Sequence, residues 1–183
     1  MNYWTGQKIR LRGIEPEDYE FFYHWNQDTE TARRIAWLWF PTSKENVKEW
    51  AKNESLKKGE NDEYFFVIET LAGEPVGSIN ANMISKIDGS FRYGIGIIEK
   101  VRRKGFAKEA ISIFLNYYFN ELRFNKVNAA VYDFNEDSIR LHEKMGFELE
   151  GRLRQIKYSQ GRYWDILLYG MTRDEFNALN KRK

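Results

Sequence analysis

The sequence contains no cysteine and only two histidines, His24 and His142. The lack of thiols excludes disulfides, thiolate metal sites and a cysteine nucleophile, and two histidines are too few for most histidine-based metal sites. We therefore expect no bound metal. No apolar run reaches the roughly 20 residues that a membrane-spanning helix needs, and residues 1–13 lack the apolar core of a signal peptide. These absences predict a cytoplasmic protein that does not bind a membrane.

Proline is also scarce, with three residues in 183, and no low-complexity linker or internal repeat interrupts the chain. A single domain spanning residues 1–183 is the expectation from this length. The formal net charge is +2, but residues 99–183 carry 17 basic and 12 acidic side chains. This local excess of +5 is too small to indicate a nucleic-acid partner, and it fits either ordinary surface charge or a site for an anionic ligand.

The hydrophobic pattern predicts a mixed α/β (α+β) fold with a mostly antiparallel sheet. A strand at 8–12 precedes two helices, of which the second covers 43–58 with Ser43 as its N-cap. Three strands then form a meander, with Asp88-Gly89 as a hairpin turn. The remaining patterns predict a helix from 106, a strand at 126–132, a helix over 136–145, a two-stranded hairpin and a short final helix.

A basic, glycine-containing loop lies between the strand that ends at Ile98 and the helix that follows. The first N–H groups of a helix have no partner within it, and the helix dipole adds partial positive charge there. Glycine allows a ligand to approach the backbone closely. The loop therefore predicts a binding site for a phosphate-bearing ligand, formed by Arg102, Arg103, Lys104, Gly105, Phe106 and Ala107.

Three polar residues fall on the inward side of the helix after 126–132. The helical periodicity puts Asn135, Ser138 and His142 on this side, whereas charged residues occupy the opposite side. Taken singly, Asn135 is expected to be an N-cap and His142 a satisfied core histidine. Because the three residues occur together after the basic loop, we instead interpret them as a row of functional side chains.

These two motifs, R-x-x-G-x-A and N-x-x-S-x-x-x-H-x-K-x-G-F, resemble those of the GNAT superfamily of acetyl-CoA-dependent N-acetyltransferases. The final segment, from G-R-L-R-Q to W-D-I-L-L-Y-G-M, is similar to the branch that contains ribosomal-protein alanine N-acetyltransferases and spermidine N-acetyltransferases. The resemblance implies a sheet with a splayed central strand pair, distorted near Gly94 and Gly96, and with flanking helices. Acetyl-CoA would lie in that gap as the co-substrate.

The resemblance also implies roles for individual residues. The basic loop would bind the coenzyme A pyrophosphate through backbone N–H groups. Ile97 and Ile98 would bind the pantetheine arm and polarise the thioester through their main-chain N–H groups, and Asn135 and Ser138 would contact or flank the same arm. No covalent acyl-enzyme is expected without cysteine. Asp133 is the candidate general base.

Three positions depart from the family pattern. His142 stands where many members carry a tyrosine general acid, and at an ordinary pKa near 6.5 it would need a raised pKa to act as that acid at neutral pH. Arg92 replaces a glutamate of the spermidine branch, which disfavours a polycationic acceptor. Arg103 replaces a small residue, and we expect its φ to be negative.

The predicted activity is transfer of an acetyl group to a primary amine, on a small molecule or a protein N-terminus. Residues 25–40 and the hairpin at 159–161 are the expected acceptor-binding segments, and they are rich in aromatic residues. A coenzyme A-binding sensor or scaffold with little catalysis is the alternative, and a nucleotide-phosphate enzyme is less compatible because no serine or threonine follows a G-K pair. The sequence leaves the acceptor and a homodimeric state open. The aromatic side chains expected to line the acceptor groove are Trp25, Trp37, Trp39, Phe40, Tyr158 and Tyr163.

Overall fold

The computed structural model describes residues 2–36, 38–59 and 62–181. Within them, seven strands form a sheet in the order β1-β2-β3-β4-β5-β7-β6. The strands are β1 (Ile9–Gly13), β2 (Phe65–Thr70), β3 (Pro75–Ser85), β4 (Ser90–Ile97), β5 (Lys126–Tyr132), β6 (Glu148–Ser159) and β7 (Arg162–Thr172). The α-helices are α1 (Tyr19–Trp25), α2 (Thr29–Ile35), α3 (Lys44–Ser55), α4 (Phe106–Asn116), α5 (Glu136–Lys144) and α6 (Arg173–Asn180).

The sheet is mostly antiparallel, as the sequence predicts. Pairs β1–β2, β2–β3, β5–β7 and β6–β7 are antiparallel, whereas β4 and β5 run in parallel. The parallel register covers three residues of each strand, Ser90–Arg92 of β4 and Lys126–Asn128 of β5. The mixed α/β fold class with a mostly antiparallel sheet, predicted from the sequence, is confirmed.

Helix starts follow the predicted capping chemistry, but the sequence pattern did not predict one of the helices. Ser43 caps α3, since its side chain accepts a hydrogen bond from the Asn46 N–H at 3.1 Å. The unpredicted helix is α2, whose N-cap Asp28 accepts the Thr31 N–H at 3.0 Å. With seven residues, α2 is too short to give a clear apolar period, and the Asp-x-x-Thr cap was its available signal.

Contacts divide the chain into two compact units, each made of two segments. The first unit comprises Met1–Ala81 and Gly94–Phe114, and the second comprises Asn82–Tyr93 and Leu115–Lys183. The single-domain assignment of the whole chain stays a prediction.

The first unit packs α1 and α3 around one hydrophobic cluster. Phe22 of α1 contacts the Trp50 ring edge-to-face at a centroid distance of 4.9 Å, and Val47 and Ala51 of α3 are buried beside it. Close backbone packing continues at Gly96 of β4, because a Cβ built on Gly77 would lie 2.1 Å from the Gly96 carbonyl oxygen. Gly77 of β3 therefore marks a close approach of this strand to β4 that a side chain at Gly77 would block.

The second unit has an aromatic core beneath β4 and β5. Phe91 stacks on Tyr118 at 4.6 Å and meets Phe124 edge-to-face at 5.3 Å. Tyr118 belongs to a π-helical turn, Tyr117–Glu121, that extends α4. Gly146 follows α5 with φ +85°, the left-handed conformation in which helices commonly end.

Candidate active site

The basic loop lies where the sequence predicts it, between a 3₁₀ turn at Glu99–Val101 and α4. The Gly105 carbonyl accepts the Glu109 N–H at 3.1 Å, so Gly105 is the residue from which the helical hydrogen bonding begins. Arg103, Lys104 and Gly105 are exposed. The start of α4 thus presents its first N–H groups beside two exposed cations, which is the arrangement that favours a bound anion.

Two residues of this loop adopt the left-handed conformation. Gly105 has φ +88°, and Arg103 has φ +64°. The expectation of a negative φ at Arg103 is therefore wrong. A non-glycine residue reaches this region at a cost of about 1–2 kcal/mol, which single loop residues sustain when the surrounding contacts fix the turn.

The first unit supplies such contacts from the chain before β1. Lys8 donates through Nζ to the Lys104 carbonyl at 3.0 Å, and its own N–H donates to a carboxylate oxygen of Glu109 at 3.1 Å. The same carboxylate accepts the Gln7 N–H. Because these bonds join the loop to α4 through a third segment, they hold the loop shape without a ligand.

Both the backbone N–H and the side chain of Arg102 are already hydrogen-bonded within the fold. Its N–H donates to the Glu99 carbonyl at 3.1 Å, and its guanidinium donates to the Ile97 carbonyl at 3.2 Å and to Thr31 Oγ1 at 2.8 Å. Ile98 differs from expectation in the same way, since its N–H donates to the Val76 carbonyl at 3.0 Å. A backbone N–H makes one strong hydrogen bond, so neither group is available in this state as the predicted ligand donor.

In the second unit, the polar stripe of α5 is satisfied internally. Asn135 caps the helix, with its Oδ1 accepting the Ser138 N–H at 3.3 Å. His142 is 3% exposed, and its Nδ1 lies 2.7 Å from the Ser138 carbonyl while its Nε2 lies 2.8 Å from the Tyr93 hydroxyl. A carbonyl only accepts, so Nδ1 carries the proton and Nε2 accepts from Tyr93.

Burial lowers the pKa of His142 below its usual 6.5, although the hydrogen bond to the Ser138 carbonyl opposes this shift. The acid role expected from the sequence required the opposite shift. Burial also raises the pKa of the Tyr93 phenol, which therefore stays protonated. The pair is a neutral imidazole with a neutral phenol. The imidazole ring packs edge-to-face on Phe147 at a centroid distance of 5.0 Å and stacks on Tyr169 at 5.7 Å.

Tyr93 was not singled out from the sequence. Its signal was the period-two pattern of β4, in which Phe91 and Tyr93 both point inward and are buried. A phenol on a buried strand face needs a hydrogen-bond partner. The sequence therefore indicated that Tyr93 needs a hydrogen-bond partner, but it did not identify His142 as that partner.

Asp133 follows β5, and its carboxylate is only partly engaged. Oδ2 lies 3.9 Å from Arg152 Nη1, whereas Oδ1 is buried with no hydrogen-bond partner among the residues that the structure describes. Arg152 makes its shorter contact, 2.8 Å, with Asp165. An oxygen with unused acceptor capacity can take a proton, and a general base must also lie within hydrogen-bond reach of the proton that it abstracts.

The aromatic residues expected to bind the acceptor are distributed over both units. Trp39 and Phe40 are exposed at 53% and 94%, and Tyr158 and Tyr163 of the β6–β7 hairpin at 61% and 62%. Trp37 lies outside the described residues. Over the described ranges, no helix is both long and apolar enough to cross a membrane, and no group of three or more histidine, aspartate or glutamate side chains is arranged to hold a metal ion.

The family model described as "Acetyltransferase (GNAT) domain" matches residues 8–148, which contain both motifs. The chain belongs to the GNAT acetyltransferase family. It is an N-acetyltransferase of this type, and the resemblance stated from the two motifs is confirmed. The GNAT family uses acetyl-CoA as its acetyl donor.

Relatives of similar length support the same assignment. The chain is 43% identical over 176 residues to the SPbeta prophage-derived uncharacterized N-acetyltransferase YokL of Bacillus subtilis (strain 168), covering 96% of each. It is 29% identical to the spermidine N(1)-acetyltransferase of Vibrio cholerae, covering 87% of this chain and 90% of the relative. The crystal structure of spermidine N-acetyltransferase from Vibrio cholerae in complex with CoA and spermine matches with a TM-score of 0.81 at 25% identity, covering 92% of this chain and 98% of that one.

Proposed function

We propose that this GNAT enzyme transfers the acetyl group of acetyl-CoA directly to a primary amine, on a small molecule or a protein N-terminus. The observation that supports this most strongly is the exposed turn into α4, with left-handed residues at Arg103 and Gly105 and the first helical N–H groups beside it. A pyrophosphate fits such a turn because backbone donors and the helix dipole act on it together.

The coenzyme would be held mainly by backbone. We assign pyrophosphate binding to the N–H groups from Lys104 to Ala107, with the side chains of Arg103 and Lys104 adding positive charge. Arg102 shapes this loop through its contacts with Ile97 and Thr31 rather than donating to the ligand from its backbone. Ile97 and the polar residues at the start of α5, Asn135 and Ser138, remain predicted contacts of the pantetheine arm.

The reaction forms a C–N bond between the amine and the acetyl carbon and breaks the C–S bond, releasing coenzyme A as the thiol. One proton leaves the amine nitrogen and one is gained by sulfur. The chain has no cysteine, so no protein thiol intercepts the acetyl group, and a direct transfer within a ternary complex is the simplest sequence of steps. Most of the rate would come from holding the two reactants together.

Asp133 is our candidate for accepting the amine proton, directly or through water. The support is the buried Oδ1, which has no hydrogen-bond partner among the described residues. Direct protonation of the thiolate by His142 is less compatible with its lowered pKa. We propose that His142 contributes instead as a neutral hydrogen-bond acceptor that fixes the Tyr93 hydroxyl.

The positive charge of Arg92 narrows the range of acceptor amines that we propose. The Vibrio cholerae relatives are spermidine N-acetyltransferases, and the solved structure contains spermine. In this chain, Arg92 replaces the glutamate of that branch and is partly exposed on β4. A cation near the acceptor amine would repel a polyamine, so we propose a monoamine or a peptide α-amine as the better substrate.

The test uses the purified full chain. Calorimetric titration with coenzyme A measures binding, and thiol release measures turnover of acetyl-CoA with an aliphatic monoamine, an alanine-terminated peptide and spermidine. We expect binding together with acetylated product, and a higher kcat/KM for the first two amines than for spermidine. Binding without product across the amine panel would favour the sensor alternative, and no binding would overturn the cofactor assignment.

A further inference from the structure

The side chain of Arg102 joins the cofactor loop to helix α2. Its Nε donates to the carbonyl of Ile97, the last residue of β4, at 3.2 Å, and its Nη2 donates to Thr31 Oγ1 at 2.8 Å. Thr31 is 1% exposed and donates in turn to Asp28 Oδ2 at 2.6 Å. A continuous chain of hydrogen bonds therefore runs from the end of β4 to the N-cap of α2.

A second contact attaches the other end of α2 to the same strand. A Cβ built on Gly96 would lie 2.7 Å from Ile35 Cδ1 and 2.8 Å from Trp25 Cζ2. The absence of a side chain at Gly96 lets the ends of α1 and α2 pack directly on the β4 backbone. Helix α2 is thus held on β4 at both ends, by polar contacts at Thr31 and by packing at Ile35.

The segment that follows α2 is exposed and apolar. Leu38, Trp39 and Phe40 have exposed fractions of 43%, 53% and 94%. A short helix has little intrinsic stability, so the position of this segment depends on the tertiary contacts of α2. The polar contact of α2 comes from a residue of the loop that we assign to coenzyme A.

We propose that Arg102 is a positioning residue that couples the cofactor loop to the acceptor-binding segment through Thr31. This inference rests on the proposed transferase function. Arg102 acts through its side chain on α2, and its hydrogen bond with Thr31 sets acceptor affinity rather than coenzyme A affinity. The charge on Arg102 makes the bond to Thr31 stronger than one between neutral groups.

The experiment compares Thr31→Val, which removes the hydroxyl at nearly constant volume, with Thr31→Ser, which keeps it. The substrate is the amine that the wild type turns over best. Thr31→Val removes the bonds to both Arg102 and Asp28. We expect it to raise the KM for this amine by at least about tenfold, the size expected for losing the charge-assisted bond from Arg102. The Kd for coenzyme A should change less than about twofold, and Thr31→Ser should restore the wild-type KM.

Arg102→Lys provides the second variant and keeps the charge while removing the forked donor geometry. It should raise the amine KM similarly. The double variant should raise the KM by less than the product of the two single effects, because both changes remove the bond between Arg102 and Thr31. Arg140→Lys on the exposed surface of α5 is the matched control and should change neither constant. If Thr31→Val does not fold, Arg102→Lys decides the question alone.

The results separate this proposal from the transferase proposal. A wild type that binds coenzyme A but acetylates no amine contradicts the proposed function itself. A wild type that acetylates the amine, with variants whose amine KM is unchanged or whose coenzyme A Kd rises by the same factor, contradicts only the coupling through Arg102.

Discussion

The Tyr93 hydroxyl lies 2.8 Å from Nε2 of His142, and both side chains are buried. Nδ1 of the same ring donates to the Ser138 carbonyl, and burial lowers the pKa of His142, so the imidazole is neutral and its Nε2 accepts a hydrogen bond from the phenol. A histidine at the position of the usual tyrosine acid is therefore one half of a buried pair whose hydroxyl comes from strand β4.

Replacement of Tyr93 by phenylalanine should destabilise the protein by about 1–3 kcal/mol, the penalty for leaving a buried acceptor unsatisfied. Urea unfolding followed by circular dichroism measures this change. Tyr158→Phe is the matched control, because that side chain is 61% exposed and its change should stay within about 0.5 kcal/mol. Equal effects of the two variants would contradict the buried hydrogen bond between Tyr93 and His142.

The lowered pKa of His142 predicts how stability depends on pH. Below pH 6.5 the unfolded chain binds a proton at this residue that the folded chain resists, so the free energy of unfolding falls as the pH falls. Above pH 6.5 the contribution is complete. The slope from this group is at most about 1.4 kcal/mol per pH unit.

Unfolding measured at pH 7 and pH 5 should therefore differ less in His142→Gln than in the wild type. The comparison of slopes, rather than of absolute stabilities, removes the cost of losing the buried ring. Tyr158→Phe serves again as the control for a substitution at an exposed position. A wild-type slope retained in His142→Gln would refute the assignment of the shift.

Gly105→Ala should weaken coenzyme A binding at least tenfold, measured by calorimetry, because φ +88° is strained for alanine and the loop backbone would shift. Gly73→Ala is matched in φ, also +88°, and a Cβ there meets nothing within 4 Å. Both variants should lose about 1 kcal/mol of stability to backbone strain. Only Gly105→Ala should lose affinity, and equal affinities would exclude the loop as the pyrophosphate site.

Asp133→Asn should lower kcat about 10²-fold near neutral pH if Asp133 accepts the amine proton. The Kd for coenzyme A should stay unchanged, because the role is confined to proton transfer. Asp137→Asn on the outer side of α5 should keep the wild-type kcat. An unchanged kcat in Asp133→Asn would remove this residue from the mechanism.

Arg12→Met should destabilise the first unit by about 3–5 kcal/mol. Arg12 contacts Asp18 at 2.7 Å and Glu69 at 2.7 Å, and these two carboxylates are only 8% and 4% exposed. Removing the guanidinium leaves both charges buried without this partner. Lys44→Met, which breaks an exposed pair with Glu20, should destabilise the protein far less in the same urea titration, because water screens that pair.

Sequence patterns predicted the long elements accurately. β5 was expected at 126–132 and spans Lys126–Tyr132, because its flanking turns are explicit in the sequence. Helix α2 was missed because seven residues are too few to give a reliable apolar period. Its position depends on Arg102, which lies 71 residues from Thr31 in the chain.

In the candidate site, too, some features follow from the local sequence and others depend on distant contacts. The basic loop and its place before α4 follow from local sequence, since glycine, charge and helix period are all short-range signals. The partner of His142 lies 49 residues away on another strand, so the sequence could not determine whether the ring is charged. Ionisation depends on burial and on partners, which only the tertiary structure supplies.

The sequence by itself therefore determined the family, the order of the strands and longer helices along the chain, and the location of the basic turn before α4, because each is encoded by residues close together in the chain. The tertiary structure decided which donors are already engaged, at Arg102 and Ile98, and which state His142 adopts. These properties arise from contacts between distant segments, and a backbone N–H or a ring nitrogen that has one partner in the fold is not available to another.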